Sequence, residues 1–262
     1  MRLVLALTIA VIVATAAAES QQPNLGYDDT PLQPDGKWKI HDVRRPAPPI
    51  VVPGPFVSVP PPKDAVILLG EGADLSAWQT DAGAPAPWQM AAGVLQTGKG
   101  MIRTRAEFTD LQLHVEFATP STVVGSSQDR GNSGVFLAGV FEIQVLDSFE
   151  NPTYADGQAA AMYGQFPPLV NASRRPGEWQ SYDIAFTAPR FSATGELSSP
   201  AVATVFHNGV LVHHARSFWG GTAHRRIAPY KPEMARGPIR LQDHGNPVRY
   251  RNIWLLSLNS EK

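Results

Sequence analysis

Phe141-Glu142-Ile143-Gln144-Val145-Leu146-Asp147 is the stretch on which the reading of this 262-residue chain turns. Phe141, Ile143 and Val145 alternate as one face of a β-strand does, so Glu142 and Gln144 point to the opposite face. Strict alternation would carry Asp147 to the apolar side, where an unpaired carboxylate is unfavourable. A one-residue bulge near Leu146 is therefore expected, returning Asp147 to the face of Glu142 and Gln144. Three polar groups converging on one sheet face suit general acid/base chemistry. The alternative is a plain solvent-facing strand carrying charges, and spacing alone leaves both readings open.

On either side of this stretch the pattern stays that of short strands. Upstream, Leu111, Leu113, Val115 and Phe117 alternate with Gln112, His114 and Glu116, a half-buried strand whose polar side either faces solvent or joins a cleft. Gly93 marks a hairpin between Trp88-Gln-Met90 and Val94-Leu95, and Asn208-Gly209 marks another between Ala203–Phe206 and Val210–Val212. Further runs at 65–69, 135–137, 182–186, 239–241 and 253–258 complete the series, and none has sustained helical periodicity. Many short strands with turn signals predict an all-β sandwich or jelly roll.

The composition narrows the partners. A net charge of −1 gives no basis for electrostatic capture of nucleic acid. With no cysteine, disulfides and thiolate metal sites are excluded. Residues 1–18 read as a secretory signal: Arg2, an apolar run from Leu3 to Val13, and Ala16-Ala17-Ala18 before Glu19. The apolar run is too short to span a bilayer, so the expected product has no membrane anchor in its mature form and is periplasmic or extracellular. Residues 19–62 form a proline-rich arm that favours extended chain. Its Trp38, Ile40, His41, Ile50, Val51, Val52 and Phe56 suggest that it lies along the β domain of residues 63–262 rather than hanging free.

Nine phrases in order resemble one bacterial family, the 3-keto-disaccharide hydrolase domain. They begin with Gly72 to Trp78, Trp88 with Gly93-Val-Leu95, Phe108 to Glu116 and Gly131-Asn-Ser-Gly-Val135. Phe141 to Asp147, Pro176-Gly-Glu-Trp179, Phe206-His-Asn-Gly209, Gly237 to Gly245 and Arg249 to Ile253 follow. The arm phrase Gly36-Lys-Trp-Lys-Ile-His-Asp42 looks like an extension found on some members. The resemblance implies a concanavalin A-like jelly roll with a concave carbohydrate-binding face. It further implies cleavage of glycosides whose sugar is oxidised to a ketone at C3. Such a ketone acidifies the C2 proton, so a base removes it, the aglycone leaves C1 by elimination, and water adds to the unsaturated sugar. An oxidoreductase that makes the ketone, a sugar 3-dehydrogenase, is the implied functional companion.

The chemistry is then assigned residue by residue. Glu142 is expected to be the general base, with Asp147 its partner or a proton donor and His244 a second proton carrier oriented by Asp243. Gln144, Asn132, Arg105, Tyr163, Gln242, Asp243 and Arg251 are the candidate substrate contacts; Trp78 and Trp179 are read as core. Glu142-x-Gln-x-x-Asp147 also resembles the Glu-x-Asp-x-x-Glu strand of jelly-roll endoglucanases. Gln144 cannot ionise and Asp147 is one methylene short, which weakens direct displacement between carboxyls roughly 5–5.5 Å apart. Adjacent His213 and His214 point to opposite faces of a strand and make a poor chelate with His207. No cofactor is identified, and a divalent cation on Glu142, Asp147 or His244 stays open. A non-catalytic carbohydrate-binding module and a conventional glucanase are the competing functions.

Overall fold

The computed structural model describes residues 25–70, 72 and 74–258. The expected signal at 1–18 lies outside them, as does the start of the arm. Among the described residues, seventeen strands carry the fold. The first six are β1 (Val66–Leu69), β2 (Trp78–Thr80), β3 (Gln89–Ala91), β4 (Val94–Gln96), β5 (Ile102–Thr104) and β6 (Leu111–Ala118). Next come β7 (Ser133–Leu137), β8 (Phe141–Val145), β9 (Gln180–Thr187), β10 (Arg190–Phe191), β11 (Leu197–Ser199) and β12 (Val202–His207). The last five are β13 (Val210–Ser217), β14 (Gly221–Ala223), β15 (Arg226–Ala228), β16 (Arg240–Leu241) and β17 (Arg249–Ser257). Among the described residues no helix is long and apolar enough to cross a membrane.

Two antiparallel sheets hold the core between them. The larger runs β13-β12-β9-β6-β17-β4-β3, with β1 also paired to β17; the smaller runs β2-β5-β16-β7-β8. Leu113, Val115 and Phe117 of β6, Tyr182, Ile184 and Phe186 of β9, and Phe141, Ile143 and Val145 of β8 are all buried in one apolar cluster. Phe141 meets Phe186 and Phe218 at ring-centroid distances of 5.8 and 5.0 Å, so truncating it to alanine should cost about 3–5 kcal/mol. Both expected hairpins form. Ala92-Gly93 and Asn208-Gly209 have positive φ at both turn positions, the backbone a tight two-residue hairpin requires. This two-layer antiparallel architecture is the concanavalin A-like jelly roll.

The expected bulge near Leu146 is absent. The β7–β8 register runs unbroken from Leu137↔Phe141 to Ser133↔Val145, and β8 stops there. Past its end the chain turns, and the amide of Asp147 donates to the carbonyl of Arg130 at 3.2 Å. Asp147 thus escapes the core by leaving the strand rather than by being shifted within it.

Residues 25–62 lie against the sandwich on both faces. On the small-sheet side Gln33 Nε2 donates to the carbonyls of Gly164 and Gln165, both at 2.9 Å. Val51 then donates to the carbonyl of Asn171 at 3.0 Å. On the large-sheet side Ser58 bonds Glu116, and Asn252 and Trp254 donate to the carbonyl of Val59 at 2.8 and 3.3 Å. His114 and Glu116, on the polar side of β6, are consequently fully buried beneath the arm instead of lining a cleft.

Candidate functional site

On the small sheet, Glu142, Gln144, Phe136 and Gly134 share the face turned away from the core, because Phe136 pairs with Glu142 and Gly134 with Gln144. Elsewhere this face would be wet, yet every residue of β8 is buried. Residues 160–163 run along its free edge: Ala160 donates to the carbonyl of Gln144 (2.8 Å), Gln144 to that of Ala161 (2.9 Å), and Tyr163 to that of Glu142 (3.3 Å). The covering leaves a cavity of about 200 Å³ lined by Asn132, Phe136, Glu142, Gln144, Tyr163, Thr222, Ala223, His224, Gln242 and His244.

Glu142 is the acidic group of this hollow. Burial alone raises its carboxyl to about 8, since no cation compensates the ionised form. Gly134 makes room for it: a Cβ there would collide with the Glu142 carboxyl and come within 3.0 Å of Phe136. Gln144 supplies a partner in either protonation state. Its amide, turned to suit its neighbours, donates to Glu142 Oε1 at 2.9 Å and to the carbonyl of Ser133 at 3.2 Å. In the opposite orientation its nitrogen donates to Gln128 Oε1 at 3.1 Å and Asn132 Oδ1 at 3.3 Å, leaving its oxygen to accept the proton of a neutral Glu142.

Around the carboxyl stand groups with capacity to spare. Gln242 is fixed by its backbone, its amide donating to the Gly134 carbonyl at 3.0 Å. Its buried Oε1 has no hydrogen-bond partner among the described residues. His244 is exposed at the opening. Tyr163 and His224 form the opposite wall, Tyr163 Oη lying 3.2 Å from His224 Nδ1 and 2.9 Å from Tyr154 Oη. Burial raises the Tyr163 hydroxyl well above its ordinary value. Burial, then the nearby His41 and Arg225, lowers His224.

The structure thus gathers Glu142, Gln144, Asn132, Tyr163, Gln242 and His244 in one hollow. The other expected residues lie elsewhere. Asp147 accepts from Arg130 Nε at 2.7 Å and faces a separate surface cavity of about 370 Å³ that also includes Gly131, Asn246 and Arg249. Asp243 does not orient the His244 ring. Its oxygens accept from the amides of Gly100 (2.7 Å) and Gly245 (2.8 Å), shaping the loop that carries His244. Arg105 is spent on the Ser76 carbonyl (2.9 Å) and Gln79 Oε1 (2.8 Å). Arg251 pairs with Glu116 at 2.6 Å and lies over Trp179, 4.0 Å from the ring centroid, on the outer side of the large sheet. Trp179 is accordingly a half-buried stacking platform, whereas Trp78 is fully buried in the core.

The buried His207 and His213 are taken up by Gln180 Oε1 (3.0 Å) and the Ala160 carbonyl (2.8 Å). Burial lowers them to about 3 and about 4. Among the described residues no three His, Cys, Asp or Glu side chains stand where one ion would join them. Sequence reading missed Phe136, Thr222 and His224. Phe136 reads as an ordinary strand aromatic, and Thr222 and His224 sit on the small β14 hairpin, which has no alternating apolar signal.

A jelly roll with a buried carboxyl at the end of a sugar-sized hollow is the architecture of a carbohydrate-active domain. The chain belongs to the family of the 3-keto-alpha-glucoside-1,2-lyase-like domain, whose model matches residues 65–256. A solved protein from Parabacteroides distasonis ATCC 8503, described provisionally as a glycosyl hydrolase, is 42% identical, with 82% of this chain and 93% of that one covered and a TM-score of 0.73. Another of the same description and organism is 19% identical over 74% of this chain and 94% of that one, at a TM-score of 0.53, a likeness of fold. Among curated proteins none matches.

Proposed function

We propose that the chain is a secreted enzyme that cleaves 3-keto-glycosides by elimination across C1 and C2, followed by hydration. The buried carboxyl of Glu142 carries this reading. A carboxyl held near 8 is a far stronger base than an ordinary glutamate, and its cavity fits about one sugar ring. Glu142 takes the C2 proton, and the bonding electrons move into the C3 carbonyl as an enediolate. On collapse the ketone reforms, C1=C2 forms, and the aglycone oxygen leaves C1. His244, at the open side, donates the proton to that oxygen. Water then adds across C1=C2, with hydroxyl to C1 and hydrogen to C2, giving the free 3-keto sugar.

Gln144 follows the charge on Glu142 by turning its amide, and Gln242 and Asn132 offer hydrogen bonds to sugar hydroxyls. The direct-displacement alternative loses support because Asp147, the second carboxyl it needs, faces a different cavity. Residues 1–18 retain the features of an export signal, so the reaction is assigned to the periplasm or the medium, downstream of the enzyme that oxidises C3.

The test is to incubate the protein in D₂O with a 3-keto-disaccharide and with the unoxidised disaccharide. Release of aglycone from the keto substrate alone, with deuterium at C2 of the product, is expected. Glu142→Gln should lower kcat by at least about 1,000-fold. Equal rates for both proteins, or cleavage of the unoxidised sugar, defeats the reading. Binding without turnover by the wild type would assign a carbohydrate-binding module instead.

A further inference from the structure

The arm buries a histidine that the mechanism above does not use. His41 is fully buried and has a φ of 56°, in the left-handed region that bulky residues avoid. Its Nδ1 donates to Asp156 Oδ1 at 3.0 Å, while its own backbone amide donates to Asp156 Oδ2 at 3.0 Å. Gln33 Nε2 adds a third bond to that carboxylate at 3.1 Å. In the neutral tautomer that donates from Nδ1, Nε2 presents a lone pair. This buried nitrogen has no hydrogen-bond partner among the described residues. An imidazole oriented by a carboxylate with its second nitrogen idle is an expensive arrangement if packing is its sole purpose.

The surroundings show where it acts. The His41 ring lies 4.8 Å from that of Tyr163 and 4.2 Å from that of Tyr154, and it stacks on His224 at 5.5 Å with 26° between planes. Tyr163 and His224 line the Glu142 cavity, so His41 stands immediately behind that wall. A second arm residue reaches the same place: Tyr27 Oη lies 3.4 Å from His224 Nε2. Both nitrogens of His224 are therefore engaged, one by the domain through Tyr163 and one by the arm.

We propose that the arm completes the active site, with His41, oriented by Asp156, serving as a positioning residue that fixes the Tyr163–His224 wall of the cavity. The inference rests on reading the Glu142 cavity as the reactive one. The idle Nε2 is the acceptor open to the tyrosine hydroxyls when a sugar hydroxyl or the ketone takes Tyr163's place on His224. The resting chain Tyr154–Tyr163–His224–Tyr27 thereby has a second arrangement available to it without leaving a donor unpaired.

Two measurements on the full chain test this. In the first, His41→Ala, His41→Asn and Asp156→Asn are compared with wild type on a 3-keto-glycoside, below their melting temperatures. Asparagine tolerates the positive φ and keeps a donor to Asp156 but lacks Nε2. Asp156→Asn keeps the shape but presents a donor to Nδ1 and so moves the ring proton to Nε2. All three should lose about 10- to 100-fold in kcat with KM within about 3-fold. Folded variants with wild-type kcat, or full rescue by His41→Asn, overturn the proposal.

The second measurement needs no substrate. NMR of labelled histidine reads the tautomer and titration of His224, which should change in His41→Ala and in Tyr27→Phe. An unchanged His224 signal overturns the positioning role. If the wild type cleaves no keto-glycoside while the His224 signal responds to both variants, the proposed reaction fails and the wall assignment stands.

Discussion

The Glu142 carboxyl and the Gln144 amide, two residues apart on β8, face each other at 2.9 Å beneath a lid of irregular chain. With no cation beside it, Glu142 takes up a proton far more readily than its solvated counterpart.

Its activity should therefore follow the ionised fraction. With Glu142 as the proposed base, kcat/KM should rise with pH, tenfold per unit, and level off above about 8. A profile that falls through this range would make Glu142 the acid instead.

The same burial works against stability. Glu142's folded value lies above its unfolded one, so between about 4.5 and about 8 the native state holds a proton that the unfolded chain releases. Unfolding free energy should then decline over that window, by an amount on the order of 3–5 kcal/mol, and flatten above it. Glu142→Gln should remove this slope in denaturant titrations across pH and be the more stable protein at pH 9.

Gly134 is the neighbour whose missing side chain makes that burial feasible. Gly134→Ala should cost about 1–3 kcal/mol and displace the carboxyl toward the cavity. A crystal structure of the variant with an undisturbed Glu142 side chain and full activity would refute this.

Arg130 and Asp147 form a nearly buried pair, with 13% and 2% of their side chains exposed. Arg130→Ala strands the carboxylate and should lower stability by about 3 kcal/mol. Asp147→Asn, away from the Glu142 hollow, should leave kcat within about 3-fold. A loss comparable to that of Glu142→Gln would return Asp147 to the reaction.

Beneath the arm, burial alone would depress His114, but its hydrogen bond to Asp183 and the Glu116 carboxylate 3.5 Å away outweigh it and raise the imidazole to about 9. Burial opposes ionisation of Glu116 too, yet the nearby His114 and the bonds from Ser58, Asn252 and Arg251 hold it at about 2. The histidine's contribution is complete below about 6.5 and fades as pH climbs through 9; the glutamate's is complete above about 4.5 and fades toward 2. Protection of the amides of residues 56–59, taken relative to intrinsic exchange at each pH, should be greatest between about 4.5 and about 6.5 and fall at pH 9.5. Protection that does not vary with pH would detach the arm from this pair.

Much of the fold could be read from alternation. Leu111 to Phe117 and Phe141 to Val145 each have one apolar face, and Asn208-Gly209 needs no tertiary help to turn the chain. The site was legible where it followed that alternation, at Glu142, Gln144 and Gln242. It failed where the outcome depended on which pieces meet across the sheets. Asp147 and Arg251 carry suitable chemistry, but a strand end and an opposite face took them to other partners. His224 and His41 gave no periodic signal because each is placed by a loop or an arm that docks from far along the sequence.

Strand β17 sits inside the large sheet, between β6 and β4 and also paired with β1, although it is the last strand among the described residues. The sheet accordingly stays open at its middle until residues 249–257 pair with β6 and β4. The loop bearing Gln242 and His244 lies between β16 and this latecomer, so the hollow around Glu142 takes shape only once the strand slots in. Closing the large sheet and finishing the hollow are therefore one folding event, set by contacts far apart in sequence.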